Sequence, residues 1–175
     1  GSVACATCHR PELMFTDGFQ LAMGAALGPR HTPSLVGLAH SPWYYWDGRK
    51  DSQWAQALAP LEAAIEHDID RLQVARLINS DSSYRQMYNT LFGPLPVIPA
   101  TPVAASPLGD EQEQINWNSL SSAQQNEVSG VFANLGKAIA AYERKLMPGA
   151  TRFDEYARSI AASSELDQGE LLSSV

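Results

Sequence analysis

The sequence runs to 175 residues and 19.0 kDa, enough for one domain of ordinary size or for a fragment of two. Twelve Lys and Arg stand against 19 Asp and Glu, and the net charge of −7 argues against a nucleic-acid footprint or a polybasic membrane anchor. A 45% hydrophobic content can fill a core without disulfides, yet no apolar run approaches the roughly 20 residues of a membrane-spanning helix.

The first element is chemical. Cys5-Ala6-Thr7-Cys8-His9 is the C-x-x-C-H attachment signature for c-type haem. Two thiols three positions apart can add to the two vinyl groups of one porphyrin, and the adjacent imidazole then becomes the proximal iron ligand. A zinc site would want a second ligand pair, but there is no third cysteine, and His31, His40 and His67 lack finger spacing. A redox pair would want a preceding βαβ pattern, and a disulfide across two residues would close a strained ring. The haem reading also implies an exported, periplasmic protein.

Residues 10–48 read as a long ordered loop, broken every few residues by Pro or Gly. A loop of that length becomes reasonable if it wraps a haem, whose faces supply the missing apolar partner. Asp51 to Leu58 reads as a short helix with Asp51 as N-cap and Pro60 beyond its end. His67 to Asn79 carries Ile69, Leu72, Val74, Ala75, Leu77 and Ile78 around a helical face, and a capped helix follows over Asp81 to Phe92. Residues 93–118, Pro-rich and then acidic, read as a surface excursion. Ser122 to Met147 has the clearest stripe, through Val128, Phe132, Leu135, Ile139, Tyr142 and Leu146. Arg152 to Ile160 ends the series as a short helix. No strand alternation occurs, so the expected class is all-α, a cytochrome c-like haem domain with long ordered loops.

Several separated motifs then converge. The CATCH run, Phe15-Thr16-Asp17-Gly18, Gly28-Pro29-Arg30-His31-Thr32-Pro33, Tyr45-Trp46-Asp47-Gly48-Arg49, and Gln56 with Pro60 and Glu66 come in that order. Ala138-Ile139-Ala140-Ala141-Tyr142-Glu143-Arg144 and Arg152-Phe153-Asp154-Glu155-Tyr156 follow. Together they resemble the bacterial di-haem cytochrome c peroxidases, including the MauG-like and MbnH-like enzymes. The part resembled is the amino-terminal, peroxidatic haem domain, so residues 1–175 are expected to be one c-type haem domain of a larger two-domain di-haem protein.

The resemblance implies roles. Cys5 and Cys8 would hold haem c, with His9 as proximal ligand and Arg30 and Arg49 as propionate partners. Trp46 would conduct electrons between the haems. Gln56, Pro60 and Glu66 would line the distal face, where hydrogen peroxide binds and a carboxylate can shuttle its proton. A second haem in the partner domain, calcium between the domains, and an electron-donor cytochrome or protein substrate are implied as well. Relatives that need reductive activation carry a labile histidine where Met23 falls here. Met23 is thus a possible distal ligand, although an open or weakly occupied distal site is the favoured reading. Taken by their residues alone, His31, His40 and His67 are surface loop histidines, and the aromatic run Trp43 to Trp46 is packing. Two function classes stay open: a peroxide-dependent oxidoreductase, and an electron-transfer cytochrome domain with a Met-closed iron.

Overall fold

The computed structural model describes residues 3–173, with side chains described as far as residue 163. Among the described residues the regular structure is helical: α1 (Cys5–Cys8), α2 (Gln53–Glu62), α3 (Arg71–Ser80), α4 (Ser82–Phe92), α5 (Glu111–Ser119), α6 (Ser122–Glu143) and α7 (Arg152–Ser173). Isolated antiparallel bridges at Arg10–Thr16, Met23–Leu27 and Tyr44–Lys50 tie the loops that fill residues 10–52, where Pro11–Leu13 and Leu38–His40 form single 3₁₀ turns. The all-α expectation holds.

The core forms where α2 and α3 pack on α6 and α4 closes against α3. Leu72, Val128, Val131 and Phe132 are nearly or fully excluded from water there, with Ala75, Ile78 and Trp117 around them. Gly136 sets the approach of α2 to α6. A Cβ at that position would sit 2.6 Å from the Trp54 carbonyl and 2.7 Å from Leu58 Cγ, so only a bare backbone fits. Between the same helices, Glu143 is buried and accepts a hydrogen bond from Gln53 Nε2 at 3.0 Å. Burial raises its pKa against that bond.

Several boundaries differ from the sequence reading. The second helix starts at Gln53 behind Ser52, and it runs through Pro60 to Glu62. Proline inside a helix removes one N–H and leaves the carbonyl four residues back without its helical donor. That carbonyl belongs to Gln56, and the Tyr45 phenol donates to it at 3.5 Å. The third helix begins at Arg71, because the Asp70 carboxylate caps it by accepting from Gln73 N–H; residues 63–70 are a turn. Asp81 caps α4 through the N–H groups of Ser83 and Tyr84, as expected. The long helix stops at Glu143, and the last one continues past Ile160 to Ser173.

Residues 93–118 are only partly a surface excursion. Ala105 and Ser106 are fully buried, and Trp117 on α5 joins the core. Arg76 on α3 clamps the segment by donating to the carbonyls of Pro99, Pro102 and Val103. The same Asp70 Oδ1 that caps α3 accepts from Ala105 N–H at 2.9 Å. Pro-rich composition masked these anchors because they use main-chain groups, which carry no residue signature.

Candidate functional site

The α1 turn brings Cys5 and Cys8 to one side of a single helical turn, and His9 follows as its C-cap. Both thiols are free. Burial raises the Cys8 pKa, and its Sγ donates to the Met23 carbonyl at 3.5 Å. His9 Nδ1 lies 2.8 Å from the Phe15 carbonyl. A carbonyl only accepts, so Nδ1 carries the proton and Nε2 keeps its lone pair. That arrangement orients a metal-ligating imidazole. Met14 and Phe15 both take positive φ, 56° and 60°, and this tight reversal turns the carbonyl toward the ring. Burial lowers the His9 pKa and favours the neutral, ligating form.

These groups open onto a cavity of about 780 Å³, within the range of small-molecule and cofactor sites. Its walls come from α1, the 22–35 loop, residues 45–49, the inner face of α2, the 65–67 turn and the end of α6. Cys5, Cys8, His9, Arg30, Trp46, Arg49, Gln56, Pro60 and Glu66 all line it. The helical spacing of four residues explains why Gln56 and Pro60 share a face of α2. Gln56 is buried, and its Oε1 has no hydrogen-bond partner, an acceptor left for a ligand.

Glu66 is set by main-chain contacts. Its carbonyl accepts from Ala25 N–H at 2.8 Å, the Ile65 carbonyl accepts from Ala26 N–H at 3.1 Å, and Gly24 lies so close that a Cβ there would be 2.7 Å from Glu66 Cα. Burial raises the Glu66 pKa and Arg49 offsets this in part. Arg49 has two further tasks. Its guanidinium lies 3.5 Å over the Tyr45 ring, and its Nη1 is 2.8 Å from Asp47 Oδ1. Arg30 Nη1 meets the other oxygen, Asp47 Oδ2, at 2.7 Å. Hydrogen bonds from Arg30 and then Arg49 hold the Asp47 carboxyl well below the usual range. Two cations thus stand at the mouth of the cavity with unused donors, a fit for carboxylates of a bound group.

Trp46 is 62% exposed and also lines the cavity; its Nε1 donates to the His31 carbonyl at 2.9 Å. The bland packing reading of the aromatic run fits Tyr44, which is buried, but not Trp43 or Trp46. Met23, the possible distal ligand, is 52% exposed and does not line the cavity.

Three residues read as bland or overlooked also belong to the walls. His67 and His31 line the cavity, the latter with Nδ1 on the Phe19 carbonyl and 3.6 Å from the buried Asp17. The Tyr45 phenol is pushed up to about 12, first by burial and next by Glu66. Residue type alone does not mark them, since a loop histidine and a tyrosine beside Trp46 look alike wherever the chain turns. His40 is exposed, as expected.

The geometry fits a c-type haem: paired free thiols, an oriented imidazole, an apolar cavity, two cations and an orphan amide oxygen. Comparison with known proteins agrees. The family described as di-haem cytochrome c peroxidase matches residues 1–162. The methylamine utilization protein MauG of Methylorubrum extorquens is 37% identical over 108 residues, 61% of this chain and 31% of its own length. MauG of Paracoccus denitrificans is 33% identical over 112 residues, 51% of this chain and 29% of its own. The cytochrome c551 peroxidase of Pseudomonas aeruginosa is 23% identical over 156 residues, 88% of this chain and 36% of its own. The chain spans about a third of the length of these curated relatives. With the motifs in order along the sequence and their side chains around one cavity, this chain belongs to the di-haem cytochrome c peroxidase family.

Proposed function

We propose that this chain is the peroxide-reacting haem domain of a larger periplasmic oxidoreductase with two haems. One observation carries the reading: Gln56, Pro60 and Glu66 line the same cavity as Cys5, Cys8 and His9. Haem c held by Cys5, Cys8 and His9 supplies the iron centre at which hydrogen peroxide is activated. The protein's own part is proton handling and exclusion. The Glu66 carboxyl takes the proton from one peroxide oxygen and returns it to the other, which departs as water. Burial raises its pKa, which makes the carboxylate a better proton acceptor in the cavity. Gln56 Oε1, unpartnered, accepts the peroxide hydrogen and orients it. Pro60, without an N–H, narrows the wall and offers no competing donor.

Arg30 and Arg49 anchor the haem propionates, and Trp46 carries electrons from the second haem, in a following domain, to the peroxide-reacting site. The oxidising equivalents end on an electron-donor cytochrome or a protein substrate. Calcium would sit between the two domains. No helix among the described residues is long and apolar enough to cross a membrane. The exposure of Met23 favours this reading over a Met-closed electron-transfer domain.

Rapid mixing of the haem-loaded protein with hydrogen peroxide tests this. Glu66→Gln keeps the side-chain volume, so haem content and folding should be unchanged. The peroxide reaction should slow by about two to four orders of magnitude, the range for losing a general acid–base group. A native rate in this variant means that another group moves the proton.

A further inference from the structure

Within the aromatic run, the backbone singles out Tyr45. Its φ is 68°, a left-handed conformation that a bulky aromatic residue seldom adopts and that persists only where the surroundings enforce it. They do so here from both ends. Tyr44 N–H donates to the Lys50 carbonyl at 2.9 Å, and Gly48 N–H donates to the Tyr45 carbonyl at 3.2 Å. The three neighbours are thereby sent to different places. Tyr44 is buried away from the cavity, Trp46 is on its exposed rim, and the Tyr45 ring is half-buried in its wall.

The phenol arrives among the groups assigned to peroxide. Its hydroxyl donates to the Gln56 carbonyl at 3.5 Å, the far limit of a hydrogen bond, so its proton is loosely committed. The Glu66 carboxyl and the Gln56 side chain both act on its acidity. Arg49 lies 3.5 Å over the ring, and a cation there draws electron density from the phenol and strengthens its O–H as a donor. Burial is the larger effect and holds the group protonated, with a pKa of about 12. At neutral pH Tyr45 therefore always has a proton to offer. Its neighbours create the demand: Gln56 Oε1 and the Glu66 carboxylate accept, and Pro60 has no N–H. Negative charge that develops on oxygen as peroxide is cleaved is stabilised by a donor aimed at it.

We propose that the Tyr45 hydroxyl is a hydrogen-bond donor to small ligands in the cavity, a further catalytic group that acts on peroxide beside Gln56 and Glu66. This rests on the haem and peroxide reading of the cavity given above. The hydroxyl hydrogen swings about the C–O bond from the Gln56 carbonyl to the ligand oxygen, so the ring need not move. The bond it gives up is long and weak, and the one it gains is to an atom taking on negative charge. Tyr45 keeps its own proton throughout, while Glu66 makes the transfer. Ligands that accept hydrogen bonds, anions above all, are favoured in such a site over those that do not.

The test uses the full-length, haem-loaded protein and fluoride, a small anion that binds ferric haem and accepts hydrogen bonds without needing a base. Tyr45→Phe removes only the hydroxyl; haem content, as the pyridine haemochrome, and thermal unfolding are followed in parallel. The variant should bind fluoride about tenfold more weakly, the loss of one hydrogen bond to an anion. In the ferrous carbon monoxide complex its C–O stretch should rise, because a donor at the oxygen lowers that frequency and a purely structural hydroxyl does not. Fluorotyrosine in place of Tyr45, a stronger donor of almost the same size, should move both readings the opposite way, and it decides the matter if the phenylalanine variant does not fold. Either reading unchanged in haem-loaded protein overturns the assignment and leaves the proposed function standing. Native protein that binds neither fluoride nor carbon monoxide overturns the peroxide reading of the cavity, and this assignment with it.

Discussion

At the scale of single residues, Pro60 has an effect that reaches across the cavity. Its missing N–H frees the Gln56 carbonyl, and the Tyr45 phenol is the donor that reaches it, at 3.5 Å. The same residue whose amide Oε1 is left for a ligand is thereby tied by its main chain to the aromatic wall. Pro60→Ala would return an N–H to the helix and let Gln56 pair along the axis. The expectation is a protein at least as stable as the native one, because an interior proline costs a helix roughly 3 kcal/mol. Peroxide reactivity should nonetheless fall about tenfold or more, since small misplacements of orienting groups are costly. Thermal unfolding beside stopped-flow rates checks both halves; a faster or unchanged reaction would remove Pro60 from the positioning machinery.

At the scale of elements, the site depends on how closely α2 lies on α6. The Gln56–Pro60 face of α2 lines the cavity, and the end of α6 contributes Ile139, Tyr142 and Glu143 to it. Gly136 permits the contact by offering no Cβ where the Trp54 carbonyl and Leu58 need the space. A methyl there meets main chain at 2.6 Å, which no rotamer change relieves. Gly136→Ala should therefore destabilise the domain by at least about 2 kcal/mol, although alanine is the better helix former. Denaturant unfolding at constant m measures this, and a variant as stable as native protein would mean that the helices separate freely. The α6 stripe was legible through Val128 and Phe132, which are core. Beyond Leu135 the same periodicity turns toward the cavity, so Ile139 and Tyr142 looked like core but form the site wall. Apolar spacing records which face is dry in the finished molecule and cannot tell a packed helix from a prosthetic group.

At the scale of the whole molecule, the legible part was the part with covalent or local grammar: C-x-x-C-H, the capping aspartate at Asp81, and the order of motifs. Asp70 sat inside a helix read from His67, because the apolar face began before the cap did. What stayed hidden was assembled at long range, such as the anchoring of residues 93–118 by Arg76 and the arrival of His67 in the cavity wall. Trp46 stands between the two kinds. It lines the cavity, yet most of its surface faces solvent, and its indole N–H is satisfied by the His31 carbonyl. A side chain that merely filled space would be buried, and losing its bulk would cost stability. An exposed indole touching the cavity is consistent with the proposed passage of electrons between the haem site and whatever docks outside. Trp46→Phe should therefore fold, bind haem and react with peroxide at the native rate, with a stability loss under about 1 kcal/mol for so exposed a position. Turnover of the electron donor or protein substrate should fall by far more than that loss explains, because phenylalanine is much harder to oxidise than indole. In the full-length protein, oxidising equivalents should then persist at the peroxide-reactive haem in stopped-flow spectra instead of spreading over two centres. Donor turnover at the native rate in this variant would end the conduit assignment and leave Trp46 as a rim residue held by one hydrogen bond.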